Sequence, residues 1–357
     1  MHDTVQSRRY AAATVLSFVL EVFAAAGLPE ADAAIVASAL FEADLVGADA
    51  HGVFRLASYV RNLQTGRVNR TAKISVLQRS AATALIDGDN GMGHLVMTHA
   101  AKLAVELARA SGIGWVGARR SNHAGAAGVY AAMPLAHGMA GLYAAVSSAN
   151  HMAPWGGAEP LLGTNPIAFA IPAGKEAPVV LDIATSVASF GTIRTHAISG
   201  EPMPKGWVVD RNTGRPITDA KKIAEGVLLP IGGYKGSGLA LMIGLLAGVL
   251  NGAAFGREVV DFTSPGNEPC NTGQFVVAID VARFIAPQTF AVEVDRQLQE
   301  LRSSARLPGV DAIRYPGEER QKRKDDRSRN GVALAAQLVK QLDELAAGLG
   351  LKPLSAR

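Results

Sequence analysis

The segment Ala48-Asp-Ala-His-Gly-Val-Phe-Arg55 puts an imidazole in a glycine-containing turn and a guanidinium four residues later. That pairing suits a 2-oxo or 2-hydroxy acid. Arg55 can hold a carboxylate bidentately, and His51, with an ordinary pKa of about 6.5, can give or take a proton. A histidine capping a helix beside a surface arginine would read the same way. Tyr59 follows Arg55 by four residues, on one face if the stretch is helical. A second histidine, His123, stands in Ser121-Asn-His-Ala-Gly125, where an expected strand hands over to an expected helix. Helix N-termini attract anions and polar ligand groups, although Ser121 or Asn122 could serve there as a plain N-cap. Pro154-Trp-Gly-Gly157 and Leu162-Gly-Thr-Asn-Pro166 read as turns that let backbone approach a ligand closely. Asp182-Ile-Ala-Thr-Ser186 ends an expected strand with small hydroxyl residues, a setting for pyrophosphate or ribose. Lys235 enters an apolar run between glycines, where burial would demand an anionic partner such as a cofactor phosphate.

Generic motifs do not name the chemistry. Gly112-Ile-Gly-Trp-Val-Gly117 matches G-x-G-x-x-G by letter but lies within an expected strand instead of opening a helix. The glycines of 88–93 and 232–238 have the wrong spacing, and no GK[ST] follows Lys235. H-E-x-x-H and G-x-S-x-G are both absent, and the 8 histidines are scattered. No metal site is expected.

The elements that must position these residues follow from periodicity. Helices are expected over 11–26, 29–45, 53–63, 94–110, 124–137, 236–250, 287–303 and 331–349. Strands are expected over 74–77, 82–87, 113–118, 141–147, 167–171, 179–183 and 274–280. The apolar run 236–250 is short for a membrane span and rich in glycine, so it reads as a buried helix and no membrane association is expected. With 357 residues, 48% hydrophobic and 18% charged, the chain has more apolar surface than one monomer usually hides, which points to a homo-oligomer. The net charge of +4 is spread along the chain, and the cluster Arg320, Lys322, Arg323, Lys324, Arg327 and Arg329 is broken by Asp325 and Asp326. It reads as a charged helix face, not a nucleic-acid footprint. One cysteine, Cys270, and the lack of a signal-peptide pattern lead to the expectation of a cytoplasmic protein.

Taken in order, several segments resemble the malate/L-lactate dehydrogenase family of NAD(P)-dependent oxidoreductases, which lacks a Rossmann fold. The carriers are Ala48 to Arg55, Ser121 to Gly128, Ala153 to Ala168, Leu181 to Ser186, Leu229 to Leu239, Asn271 to Phe275 and Tyr315 to Glu318. The family includes ureidoglycolate, sulfolactate, diketogulonate and cyclic-imine reductase members. The resemblance implies an α/β (α+β) fold with a largely antiparallel sheet core and a helical lobe built from the N- and C-terminal segments. The helical part would span 1–72, joined by 325–357, with a sheet-bearing cofactor- and substrate-binding part over 73–324. It makes His51 the proton donor/acceptor, with His123 and Arg55 beside it. Arg55, Tyr59, Thr164 and Asn165 become substrate contacts. His123, Ser148, Asp182, Ala184, Thr185, Ser186, Tyr234, Lys235, Gly317, Glu318 and Glu319 become contacts to NAD or NADP. A homodimer acting on a small carboxylate is implied. Two departures stand out: Ala50 replaces the serine commonly found before the catalytic histidine, and Phe190-Gly-Thr192 lacks the aspartate of cyclic-imine reducers. The first predicts an altered substrate or weakened activity, and the second argues against an imine. An imine-2-carboxylate reductase and a non-catalytic cofactor-binding paralogue are the alternatives.

Overall fold

The computed structural model describes residues 7–357, apart from the side chains of Phe190, Arg194, Thr195, Ile198 and Ser199. The departure expected at Phe190 therefore lies, as a side chain, outside the described residues.

Thr272–Asp280 runs through the middle of a seven-stranded sheet and is buried along most of its length. The strand order is Ser75–Arg79, Thr83–Asp87, Ile113–Ser121, Thr272–Asp280, Met139–Ala145, Ile167–Ile171, Val179–Ile183. Thr83–Asp87 and Ile113–Ser121 pair in parallel, and every other neighbouring pair is antiparallel. The sheet's one strand–helix–strand crossover, through the helix Gly93–Ser111, does not make a doubly wound parallel sheet, and the G-x-G-x-x-G letters at 112–117 fall at the start of its second strand instead of opening its helix.

Alternation along the central strand separates two cores. Val276 and Ala278 pack under the helix Gly93–Ser111 and the short helix Ala127–Ala132. Phe275 and Val277 face Ile243 and Ala247 on the opposite side, and Trp115 stacks on Phe275 at 4.3 Å. A third core joins the helices Ala12–Ala25, Glu30–Leu45 and Leu56–Gln64 to the C-terminal helix Ala336–Gly348. This is the helical lobe made from both chain ends. A smaller five-stranded sheet is built from strands of two or three residues, including Asn150–Met152 and Leu162–Gly163.

Several expectations need correction. The tail does not continue as one helix from 331. Val332–Ala335 forms a strand against Ser7–Tyr10, with Val332 and Leu334 turned inward, before the helix begins. Gly331 makes the break, with φ at +83° and a position where a Cβ would sit 2.4 Å from Tyr10 O. The helix expected over 124–137 shrinks to Ala127–Ala132 and tightens into 3₁₀ turns at Met133–His137, where Pro134 offers no amide hydrogen.

The apolar run is also not a buried helix. It begins at Tyr234 and passes through a π-turn at Gly244–Gly248. Only Gly236, Ala240, Ile243, Gly244, Ala247, Gly248 and, at its end, Asn251 are buried, at the spacing of one helix face. Leu241, Met242, Val249 and Leu250 are exposed, the last by 62%. Among the described residues, 234–251 is the one helix long and apolar enough to cross a membrane, and 39% of it is buried. Lys235 is exposed as well, so the desolvation reasoning for a phosphate beside it fails.

Candidate active site

Two 3₁₀ turns, Asp49–His51 and Val53–Arg55, link the helix Glu30–Leu45 to Leu56–Gln64. Beneath them lies Asp44, 2% exposed, whose Oδ2 accepts the Val53 N–H at 2.9 Å. A Cβ on residue 52 would stand 2.0 Å from Asp44 Oδ1, so only glycine admits this carboxyl under the turn. Burial pushes the Asp44 carboxyl up to about 8, with the charge of Asp49 adding to the shift and the Val53 bond opposing it. The turn carrying His51 thus rests on a carboxyl that is largely protonated at neutral pH.

His51 and His123 stack with ring centroids 5.7 Å apart. His123 comes from the irregular stretch after Ile113–Ser121, not from a helix N-terminus, since the following helix starts only at Ala127. Its Nδ1 lies 2.6 Å from Tyr59 Oη and 3.4 Å from the Gly125 N–H. An amide N–H can only donate, so Nδ1 accepts, the Tyr59 hydroxyl donates to it, and neutral His123 carries its proton on Nε2. Phe262 stacks on His123, with ring centroids 4.4 Å apart and planes nearly parallel. His94 packs edge-on to Tyr59 at 5.0 Å, fully buried, with neither ring nitrogen partnered among the described residues.

Burial keeps this cluster neutral. It lowers His94 to about 3 and holds His123 well below the usual histidine range, the neighbouring imidazoles and Arg55 adding to the effect. His51 is also lowered by burial, with Asp182 pulling it back up and Arg55 and Arg320 pushing it down. The Tyr59 hydroxyl is raised by burial, so it stays protonated. Arg55 donates from Nε to Ala50 O at 3.0 Å, and its guanidinium lies 5.6 Å from the Phe262 ring centre.

His51, Arg55 and His123 line one cleft of about 1170 Å³. Ser148, Thr164, Asp182 and Ala184 line it too. Asp182 Oδ2 accepts the Gly128 N–H at 3.0 Å and pairs with Arg320 at 3.3 Å. Tyr59 supports the wall through His123. Asn165 and Thr185 are fully buried behind it: Asn165 bonds Ser147 N and Ala240 O, and Thr185 bonds Thr164 O. Ser186 is likewise turned inward, to Ala188 O.

The remaining expected cofactor contacts are not brought to the cleft in a single chain. Tyr234 and Lys235 are exposed on a helix outside its lining. Gly317 caps the helix Glu318–Asn330, Glu318 pairs with Lys322 and Arg302, and Glu319 pairs with Lys322 and Arg314. From that helix it is Arg320 that reaches the cleft. Ala50 lines the cleft next to Gly191, where a Cβ would come within 2.9 Å of its methyl.

Sequence reasoning missed Asp44, His94, Phe262 and Arg320. Asp44 had a signal, an acid three and four residues beyond Phe41 and Leu40 on an apolar helix face. His94 had a weaker one, a histidine opening the apolar run Leu95-Val-Met97. Phe262 had none, because an aromatic in a loop carries no period.

Residues 10–343 match the family model described as malate/L-lactate dehydrogenase. The chain is 37% identical to the malate dehydrogenase of Pyrococcus horikoshii, with 95% of each chain covered. It is 34% identical to a Δ1-pyrroline-2-carboxylate/Δ1-piperideine-2-carboxylate reductase of Pseudomonas putida, over 92% of this chain and 94% of the relative. The structure of sulfolactate dehydrogenase from Methanocaldococcus jannaschii superposes with a TM-score of 0.90 at 35% identity, covering 98% of this chain and 99% of that one.

Proposed function

The chain belongs to the malate/L-lactate dehydrogenase family of oxidoreductases, and from that premise we propose that it acts with NAD or NADP on a small 2-hydroxy or 2-oxo carboxylate, His51 carrying the proton. The observation that bears most of the weight is the convergence of His51, His123 and Arg55 on one cleft.

The cleft suits a dinucleotide on two counts. Its volume exceeds the roughly 300–1,000 Å³ of an ordinary small-ligand site. The buried, unpartnered Nδ1 of His51 is also a polar atom that a ligand would satisfy. Ser148, Asp182, Ala184 and Arg320 are the residues that would hold the cofactor, which when bound would supply or accept a hydride.

The chain's own residues manage the charge and the proton. Arg55 binds the substrate carboxylate as a charge-assisted pair. In the oxidative direction neutral His51 takes the proton of the C2 hydroxyl; in reduction its protonated form returns that proton to the C2 oxygen. Burial lowers His51, which favours the base form, while the bound carboxylate and Asp182 draw its affinity for the proton back up. His123 has its Nε2–H left to polarise the same oxygen or to orient the His51 ring. The pH dependence follows in sign: oxidation gains as pH rises through the lowered His51 pKa, and reduction weakens over the same range.

The exposed apolar ridge of Leu241, Met242, Leu245, Leu246, Val249 and Leu250 supports a homodimer, since a monomer seldom leaves so continuous a patch in water.

A panel of 2-oxo acids and cyclic 2-carboxylate imines, run with NADH and NADPH, tests the reading. Turnover of an oxo acid that collapses in His51→Ala is expected. Full activity in His51→Ala removes the proton assignment. Preference for an imine selects the second reading, which the 34% identity to the Pseudomonas putida reductase supports. Cofactor binding without turnover identifies a non-catalytic paralogue.

A further inference from the structure

Arg67 is 1% exposed and is the largest fully buried side chain among the described residues. No carboxylate pairs with it there. Instead its guanidinium donates to four backbone carbonyls of one segment: Asp261 O at 2.7 Å, Ser264 O at 2.8 Å, Glu268 O at 3.1 Å and Phe262 O at 3.2 Å. Residues 259–271 form neither helix nor strand, so their carbonyls have no ladder to satisfy them. A planar fork of five donors can serve several acceptors at once, which an ammonium at the end of a flexible stem does less well.

The segment so held enters the reaction site. Asn62 Nδ2 joins Arg67 on the Phe262 carbonyl at 3.2 Å, and the Phe262 N–H donates to Ser148 O at 3.0 Å. With its backbone gripped from both sides, the Phe262 ring lies flat on His123, and the Arg55 guanidinium lies over the same ring. Both groups that flank the proposed proton carrier therefore rest on one aromatic plane.

We propose that Arg67 is a positioning residue for the reaction: acting through the 261–268 segment, it holds Phe262 against His123 and Arg55 and so fixes the orientation of both. The inference rests on the proposed roles of His123 and Arg55, but the contact itself can be read without turnover.

The test uses full-length Arg67→Lys, which keeps charge and most of the bulk, together with Phe262→Leu and the double variant. In protein labelled with ¹³C-histidine, the His123 ring proton resonance is expected to sit upfield in the wild type, because the ring stacks on Phe262. In Arg67→Lys it is expected to move towards its position in Phe262→Leu. With the best substrate, Arg67→Lys is expected to lose about tenfold or more in kcat/KM, as misplacement of reacting groups does. The same substitution in the Phe262→Leu background is expected to cost less than about twofold, because contacting residues do not act additively. A His123 resonance unmoved in Arg67→Lys would overturn the proposal even if the melting temperature fell, since that is the mark of a purely structural arginine. Equal losses in the two backgrounds would overturn it too. If the wild type turns over nothing in the substrate panel, the functional reading falls, while the resonance measurement still decides the clamp.

Discussion

Replacing Asp44 with asparagine should strengthen the protein against unfolding at neutral pH far more than at pH 5. Burial holds the Asp44 carboxyl at about 8, against an ordinary 3.8. Because the folded value is the higher, the unfolded chain gives up the proton first. The stability this group contributes is complete below 3.8 and is lost as pH rises towards 8. Each pH unit inside that window costs about 1.4 kcal/mol, so moving from about pH 5 to 7 weakens the wild type by about 3 kcal/mol through this one side chain. Asparagine keeps an oxygen for the Val53 N–H and has no proton to lose. Urea titrations of both proteins at the two pH values give the difference directly, and every other titrating group cancels because both proteins share it. A stability gap constant to within about 0.5 kcal/mol, the scatter of a neutral surface change, would refute the picture of a neutral carboxyl beneath the His51 turn.

Three further outcomes are expected. His94 is lowered to about 3 by burial, so the wild type should lose stability as pH falls from the ordinary 6.5 towards that value. His94→Gln should show a flatter acid limb in the same titration, and an unchanged limb would count against a buried neutral imidazole. Tyr59→Phe removes the donor to His123 Nδ1 at 2.6 Å; a lost hydrogen bond of about 1 kcal/mol should lower kcat roughly fivefold with KM little changed, and an effect confined to KM would sink the assignment. Met242→Glu with Val249→Glu places charges on the exposed apolar ridge. Sedimentation should then report a monomer where the wild type is expected to sediment as the proposed dimer, and an unaltered mass would move the interface elsewhere.

What could be read in the sequence was local. His51, Arg55 and Tyr59 fall within two successive turns and the start of one helix, so their nearness follows from spacing, although Tyr59 reaches the cleft only through His123. The central sheet was legible because 113–118 and 274–280 are largely apolar runs of strand length. Lys235 misled because apolar neighbours were taken to mean burial all round. A helix laid on a sheet buries one face, and Gly236 occupies that face while Lys235 does not. Strands of two or three residues, such as Leu162–Gly163, are too short to show a period. The roles of Phe262 and Arg67 depend on contacts between segments far apart in the chain, which no window of sequence contains.

Pairing of Ser7–Tyr10 with Val332–Ala335 also bears on how the protein is made. Arg9 donates to the Gly331 carbonyl across a separation of 322 residues, and the helical core draws Val339, Leu342 and Leu354 against Phe18 and Phe23. On the ribosome the first helices emerge with their closing partners still untranslated. At ordinary elongation speeds, about 5–20 residues per second, that wait lasts on the order of tens of seconds. Throughout it, a strand edge and a band of buried-type aromatics stand open to water. Nascent chains stalled before residue 332 should therefore be preferred clients of holding chaperones, and release should coincide with arrival of the final helix.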